Sequence, residues 1–206
     1  MFEKVMSILP EESCLPGRDD SIQLDSTHAV NGRSFCAPFP PGTESIVLGM
    51  GCFWGAERLF WQLSGVYVTA VGYAGGKTLN PTYQEVCAGL TNHTEVVLVV
   101  YEPEKLSLED LLMVFWREHD PTQGMRQGND RGTQYRSAIF VETEIELELV
   151  KKSRDQYQSR LTEADFGEVT TEIASGKTFY YAEEYHQQYL HKVPNGYCGL
   201  AGTGVV

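Results

Sequence analysis

The feature that most constrains the fold is an alternation, from Ser45 onward, of β-branched runs with segments whose apolar residues have helical spacing. Runs such as SIVLGM and TEVVLVVYE predict strands, whereas residues 53–63 and the segment SLEDLLMVFWREHD predict helices. Such alternation favours an α/β or α+β sandwich in which helices cover one sheet. The pattern alone leaves a parallel sheet and a split βαβ arrangement open, and the short connections favour the second.

Local signals predict where several helices begin. Ser107 with Asp110, and Thr143 with Glu146, have the spacing of capping boxes. Pro81 is expected in the first turn of a short helix within NPTYQEVCAGL, where its missing N–H costs nothing. A further helix is expected near AEEYHQQYLHK.

Composition changes divide the chain into three parts. Residues 1–44 hold five of the nine prolines and predict an irregular arm that wraps over a domain. Residues 45–193 form the α/β domain, which we expect to be catalytic. Residues 194–206 contain four glycines and predict a flexible tail.

Charge and cysteine content exclude several classes of function. The net charge of −12 repels phosphate backbones and anionic lipid, so we expect no nucleic-acid or membrane partner. No run approaches the ~18 apolar residues that span a bilayer, and the start of the chain lacks the features of a secretory signal. Five cysteines without a CxxC motif fit neither a disulfide framework nor a structural zinc site, so we expect no metal. We therefore expect a cytoplasmic protein, monomeric by default, in which a free thiol persists.

The stretch GCFWG places Cys52 where a strand turns into a helix. Unpaired amides and the macrodipole at a helix N-terminus stabilise a thiolate and can lower its pKa. Gly51 permits the sharp turn that such a junction needs. The alternative is that Cys52 is a small apolar core residue.

Cys198 lies in the glycine-rich tail, where a buried structural role is hard to build. A mobile thiol near a reactive one is typical of attack and resolution, in which the second cysteine closes a disulfide with the first. The alternative is a stray cysteine near the end of the chain. Cys87 is most simply a core residue, and Cys14 and Cys36 receive no role.

Polar candidates occur in strands and loops. Glu95 begins an apolar strand, where desolvation would raise the pKa of its carboxyl and make it a proton donor, although an ordinary exposed glutamate has the same spacing. Asp130 lies in the glycine-flanked loop QGNDRGTQYRS, which suits either turn formation or binding. Tyr83 and Tyr135 are either hydrogen-bond donors or packing aromatics. His186 is expected on a helix face in a structural role.

Eight short segments occur in the same order as in a known protein family. The sequence resembles the A-type peptide methionine sulfoxide reductases from about residue 28 to the C-terminus. The segments that carry this resemblance are GCFWG, GYAGG, NPTYQEV, HTEVV, HDPTQ, QGNDRGTQYRS, YHQQYL and GYCG. The resemblance implies a two-layer α/β sandwich with a ferredoxin-like split βαβ core and long wrapping segments.

The resemblance also implies a role for each matching residue. Cys52 matches the family nucleophile and Cys198 the resolving cysteine, whereas Glu95 matches the acid. The remaining matches bind substrate: Phe53 and Trp54 as the apolar wall for the methyl group, and Tyr83, Asp130 and Tyr135 around the sulfoxide oxygen. Asn92 stands where the family usually has glycine, a departure that should affect only the local turn.

By the same resemblance, the enzyme reduces the S epimer of methionine sulfoxide, free and in proteins, and so repairs oxidative damage. It uses no cofactor beyond thioredoxin or a small dithiol as reductant. Many relatives carry a further cysteine in the tail, and residues 199–206 contain none, so either this is a two-cysteine version or that cysteine was substituted or truncated here. The resemblance therefore implies that a Cys52–Cys198 disulfide is itself presented to thioredoxin.

Two other classes stay open. A cysteine hydrolase would use Cys52 activated by His186, but it would leave Cys198 without a role. A thiol-bearing binding module without enzymatic activity would produce no methionine from methionine sulfoxide.

Overall fold

The computed structural model describes residues 5–206, which form a main sheet with helices packed on it and a small two-stranded sheet. The helices are α1 (Phe53–Trp61), α2 (Tyr83–Cys87), α3 (Leu108–Glu118), α4 (Glu144–Glu163) and α5 (Tyr189–Lys192). The strands are β1 (Glu44–Met50), β2 (Val66–Ala74), β3 (Thr94–Tyr101), β4 (Arg126–Gln127), β5 (Asp130–Arg131), β6 (Ser137–Val141), β7 (Glu172–Ser175) and β8 (Tyr180–Tyr181). Strands β4 and β5 pair only with each other, and the other six form the main sheet.

The main sheet has the order β7-β6-β1-β3-β2-β8. Strand β3 pairs antiparallel with both β1 and β2, so these two strands run parallel with β3 between them. Strand β1 likewise separates β6 from β3, because it is antiparallel to both. The split βαβ arrangement that the short connections favour is confirmed.

Central strand β3 is buried along its whole length, which explains its continuous apolar run. Val97 and Val99 face the main core, where they meet Phe60, Leu111 and Phe115 from the helices. The alternate residues of β3 face the other side of the sheet, where they pack with Phe35 of the N-terminal segment.

The predicted arm lies within the described residues only from Val5 onward, since residues 1–4 are outside them. Between Val5 and Thr43 it contains one short 3₁₀ helix, Glu11–Ser13, and isolated bridges. Phe35 is completely buried, and Leu24 and Phe39 pack beside it on the sheet. This segment therefore covers the face of the sheet opposite the main core.

The predicted starts of α3 and α4 are confirmed, but the capping box at α3 and the place of Pro81 at α2 need correction. Thr143 and Glu146 form a reciprocal capping box at α4. At α3, Ser107 Oγ accepts from the backbone N–H of Asp110, but the predicted capping box is not completed, because the Asp110 carboxylate accepts from the Ser107 hydroxyl instead of from its backbone N–H. The placement of Pro81 in the first turn of α2 was wrong. Thr82 caps that helix with Glu85, so the proline precedes the cap.

The helix predicted near AEEYHQQYLHK is reduced to α5, and the residues before it form turns. Gln188, with φ 47°, is in the left-handed region and starts the short helix. After Lys192 no residue of the described chain belongs to a helix or strand. Leu200 and Val205 of the tail nevertheless pack against the main core. Among residues 5–206, no helix combines the length and apolar character required to cross a bilayer.

Candidate active site

Cys52 is the N-cap residue of α1, directly after β1, as the sequence predicted for a strand-to-helix junction. Gly51 has φ +88°, and a Cβ atom on it would lie 2.6 Å from Cβ of Gln127. Both observations require glycine at this turn. The junction thus fixes the position of the Cys52 thiol, which is half-buried and free.

The expectation of a lowered pKa for Cys52 is contradicted. Burial raises the pKa of this thiol, and negative charge on Glu95 raises it further. The backbone N–H of Trp54 lowers the pKa, as a helix N-terminus should, but the other effects are stronger. Without substrate, the structure therefore holds Cys52 as a neutral thiol.

Glu95 lies on β3 and is only 1 % exposed, so the alternative of an ordinary exposed glutamate is wrong. Its Oε2 atom accepts a hydrogen bond of 3.1 Å from the backbone N–H of Phe53, the first residue of α1. Negative charge on Glu95 raises the pKa values of Cys52, Tyr83 and Tyr135 alike. The carboxyl group therefore lies at the centre of this cluster.

Tyr83 and Tyr135 present two phenols to the same site. Burial raises the pKa of Tyr83, and the nearby Cys87 and Glu95 add to the effect. Burial also raises the pKa of Tyr135, followed by the effects of Glu95 and Tyr83. Both phenols remain protonated near neutral pH and can donate hydrogen bonds to an oxygen atom.

Phe53 and Trp54 form an aromatic wall beside Cys52. Phe53 is 1 % exposed, and its ring centroid lies 5.9 Å from that of Tyr73. The indole of Trp54 is stacked on Tyr189 with centroids 4.0 Å apart. Its Nε1–H donates to Nδ1 of His186 at 3.1 Å.

His186 lies in a turn, so its predicted place on a helix face was wrong. Burial lowers the pKa of its imidazole to about 4, and the ring is therefore neutral. Since Nδ1 accepts from Trp54, the proton resides on Nε2. In this arrangement the imidazole orients the indole. The contact gives no support to the hydrolase alternative, in which His186 would act as the base that activates Cys52.

The tail places Tyr197 beside Asp130 of β5 and Cys198 beside Gly55 of α1. The Tyr197 hydroxyl donates to Oδ2 of Asp130 at 3.1 Å. Cys198 is exposed and free, and its Sγ would lie 2.8 Å from a Cβ atom placed on Gly55. Gly55 belongs to the first turn of α1, and negative charge on Cys198 raises the pKa of Cys52. The two thiols are thus neighbours.

Some residues of the site were missed by sequence reasoning. The Glu183 carboxylate accepts from the Tyr73 hydroxyl and from the backbone N–H of Tyr83, both at 2.8 Å. Tyr189 supports Trp54, and Tyr197 holds Asp130. The segments YHQQYL and GYCG carried the signal for the two tyrosines, whereas no motif pointed to Glu183. Within residues 5–206, no cluster of three or more His, Cys, Asp or Glu side chains could hold a metal ion.

Comparison with known proteins assigns this arrangement to a family. The family described as "Peptide methionine sulfoxide reductase" matches residues 44–203. A curated relative, peptide methionine sulfoxide reductase MsrA of Rhodospirillum centenum, is 63% identical over 206 residues, which cover 100% of this chain and 94% of the relative. The chain belongs to the peptide methionine sulfoxide reductase family.

Solved structures of such reductases agree with the fold. Methionine sulfoxide reductase A of Corynebacterium diphtheriae superimposes with a TM-score of 0.88 at 43% identity, covering 97% of this chain and 99% of that one. Mxr1 from Saccharomyces cerevisiae in complex with Trx2 superimposes with a TM-score of 0.53 at 25% identity, covering 75% of this chain and 90% of that one. The α/β sandwich implied by the resemblance is confirmed, and the chain is an enzyme that reduces methionine sulfoxide.

Proposed function

We propose that this reductase acts on the S epimer of methionine sulfoxide, free and in proteins, with Cys52 as nucleophile and Cys198 as resolving cysteine. The observation that supports this assignment best is the shared position of Cys52, the buried Glu95 carboxyl and two protonated phenols at the start of α1. In this proposal, residues 45–193 form the catalytic domain, residues 1–44 the arm, and residues 194–206 the tail with the resolving thiol.

The first step transfers oxygen from substrate to enzyme. The Cys52 sulfur attacks the sulfoxide sulfur, the S–O bond breaks, and the products are methionine and a sulfenic acid on Cys52. The enzyme thiol is oxidised by two electrons, and the substrate sulfur is reduced by two. The sulfoxide oxygen gains negative charge during this step, so it needs a proton and hydrogen-bond donors.

Glu95 is the proposed proton donor, and its location has a second consequence. A charged Glu95 disfavours a thiolate at Cys52, whereas a protonated Glu95 does not. A proton on the carboxyl therefore supplies the acid and at the same time makes the thiolate easier to form.

The other residues bind the substrate. Tyr83 and Tyr135 donate hydrogen bonds to the sulfoxide oxygen, and Asp130 completes the polar side of the site. Phe53 and Trp54 receive the methyl group through apolar contact and sulfur–aromatic contact. Because Trp54 is held between Tyr189 and His186, this wall is rigid.

The second step regenerates the enzyme. The Cys198 thiol attacks the sulfenic sulfur, forms a Cys52–Cys198 disulfide and releases the oxygen as water. A dithiol then reduces the disulfide and is itself oxidised. We propose thioredoxin for this role, since the yeast relative was solved in complex with Trx2. No other cofactor enters the proposal, and the exposed Cys198 thiol is best suited to a reducing compartment such as the cytoplasm.

An epimer-resolved assay tests the proposal. We expect the S epimer alone to be consumed, with dithiothreitol and with thioredoxin. Cys52→Ser should form no methionine, whereas Cys198→Ser should stop with thioredoxin after about one methionine per enzyme molecule. Peptide mapping of the oxidised enzyme should find Cys52 linked to Cys198. Turnover of the R epimer, or a disulfide that contains Cys87, would contradict the assignment.

A further inference from the structure

The end of the tail lies in a groove of about 340 Å³ between α3 and α4. The groove is lined by Met113, Trp116 and Tyr157 together with Val205 and Val206 of the tail itself. Val205 also packs against the main core. The end of the chain is thus attached to the body of the enzyme, although it contains no helix or strand.

Tyr157 of α4 makes the polar contacts to this part of the tail. Its hydroxyl lies 2.9 Å from Oγ1 of Thr203 and donates to the carbonyl oxygen of Val205 at 3.4 Å. The same ring is stacked on Trp116, with centroids 5.6 Å apart, and is 5 % exposed. The phenol is therefore fixed by the helices before it meets the tail.

Gly202 passes directly against the C-terminal end of α3. A Cβ atom on Gly202 would collide with the backbone carbonyl oxygen of Arg117. Two residues earlier, the Leu200 side chain packs on the core and would lie 3.3 Å from a Cβ atom on Gly55. The contacts from Leu200 to Val205 therefore begin beside Cys198.

We propose that the tail seat, formed by Arg117 and Tyr157 with Gly202, Thr203 and Val205, positions Cys198 for disulfide formation with Cys52. This inference rests on the proposed function, in which Cys198 is the resolving cysteine. A thiol held only from the N-terminal side, by Val193 and by the hydrogen bond of Tyr197 to Asp130, explores a larger volume than one whose chain is also held at residues 202–205. The second attachment raises the effective concentration of Cys198 at the first turn of α1. Tyr157 is the positioning residue, since it acts on the reaction through the tail.

The seat affects only the resolving step. In that step the Cys198 sulfur bonds to the Cys52 sulfur, the sulfenic S–O bond breaks, and the oxygen leaves as water with the thiol proton. Methionine sulfoxide has already served as the oxidant. The preceding transfer of oxygen to Cys52 involves no residue of the seat.

The test separates the two steps in reduced enzyme mixed with excess methionine sulfoxide and no reductant. Methionine is measured by chromatography, the sulfenic acid by trapping with dimedone, and the disulfide by mass spectrometry. The variants are Tyr157→Phe, which keeps the ring on Trp116, and deletion of residues 203–206. Tyr101→Phe is the matched control, because it removes another buried hydroxyl, bonded to Glu44 at 2.9 Å.

We expect disulfide formation to slow about three- to tenfold in Tyr157→Phe, the range expected from loss of one hydrogen bond, and more in the deletion. Dimedone trapping should increase while the first methionine forms at the wild-type rate, and Tyr101→Phe should match wild type. Unchanged disulfide rates in both seat variants would overturn the inference and leave the proposed function intact. Equal slowing of methionine formation would also overturn it. Absence of a Cys52–Cys198 disulfide in wild type would instead contradict the proposed function.

Discussion

The two thiols of this enzyme occupy opposite environments. Cys52 lies at a junction fixed by Gly51, half-buried beside Glu95, with its pKa raised by burial. Cys198 is exposed on a segment without regular structure, attached by a few side-chain and backbone contacts. Oxygen transfer needs exact placement of several groups in a site with little water, whereas resolution needs a thiol that can approach and then leave. In the proposed mechanism, the rigid environment of Cys52 therefore serves oxygen transfer, and the adjustable segment that carries Cys198 serves disulfide formation.

Among the substitutions that test this difference between the two thiols, Glu95→Gln should have the largest effect on activity. It removes the proposed acid and should lower kcat about 10²- to 10³-fold at neutral pH, with little change in KM. It also removes a negative charge that raises the pKa of Cys52, so alkylation of Cys52 should become faster. Stopped-flow methionine formation and iodoacetamide labelling measure the two quantities. Near wild-type turnover would remove Glu95 from the acid role.

Gly51→Ala should destabilise the rigid junction that holds Cys52. The substituted residue would have to adopt φ +88° and displace Gln127, which should lower the free energy of unfolding by about 1–3 kcal/mol. Urea denaturation measures the loss, and methionine formation in the surviving folded fraction should slow. Gly167→Ala, where a Cβ atom would find its nearest neighbour at 3.9 Å, is the matched control. Equal stability of the two variants would show that the junction is not strained.

Alkylation of the reduced enzyme compares the thiols directly. A group with a raised pKa stays protonated at neutral pH and gains reactivity as the pH rises toward that pKa. We expect Cys198, which is exposed, to react on the order of tenfold faster than Cys52 at pH 7, and the ratio to fall in alkaline solution. Mass spectrometry of peptides labelled with iodoacetamide gives both rates. Faster labelling of Cys52 in enzyme without substrate would show that its thiolate is already formed.

Gly55→Ala should have the smallest effect, and it should act on the position of Cys198 in the tail. The new methyl group would lie 2.8 Å from Sγ of Cys198 and displace the tail, so disulfide formation should slow about threefold. Alanine is the better helix former by about 1 kcal/mol, so α1 should not lose stability. Thiol titration after one turnover and thermal unfolding measure the two effects. A faster disulfide step would mean that this glycine does not place Cys198.

Local sequence signals predicted the parts of the structure that depend on neighbouring residues. The caps at Ser107 and Thr143 need partners only three residues away, and both are formed. The junction at Cys52 is likewise readable from Gly51 and the helical spacing that follows.

Parts that depend on distant residues were not predictable in the same way. Residues 182–188 were expected to be helical, but the backbone N–H and side chain of Gln188 bind the buried carboxylate of Glu57, each at 2.8 Å. That contact joins positions 131 residues apart, so periodicity could not reveal it. The sign of the pKa shift at Cys52 failed for the same reason, because burial comes from tertiary packing.

The arm that covers the far side of the sheet has a consequence for chemistry on the near side. Strand β3 presents Glu95 to the helices while Leu98 and Val100 rest on the arm. Detachment of the arm would expose the far face of this strand to water and weaken the packing that positions Glu95, the proposed proton donor. Limited proteolysis within residues 5–43 should therefore weaken catalysis from the opposite surface of the molecule.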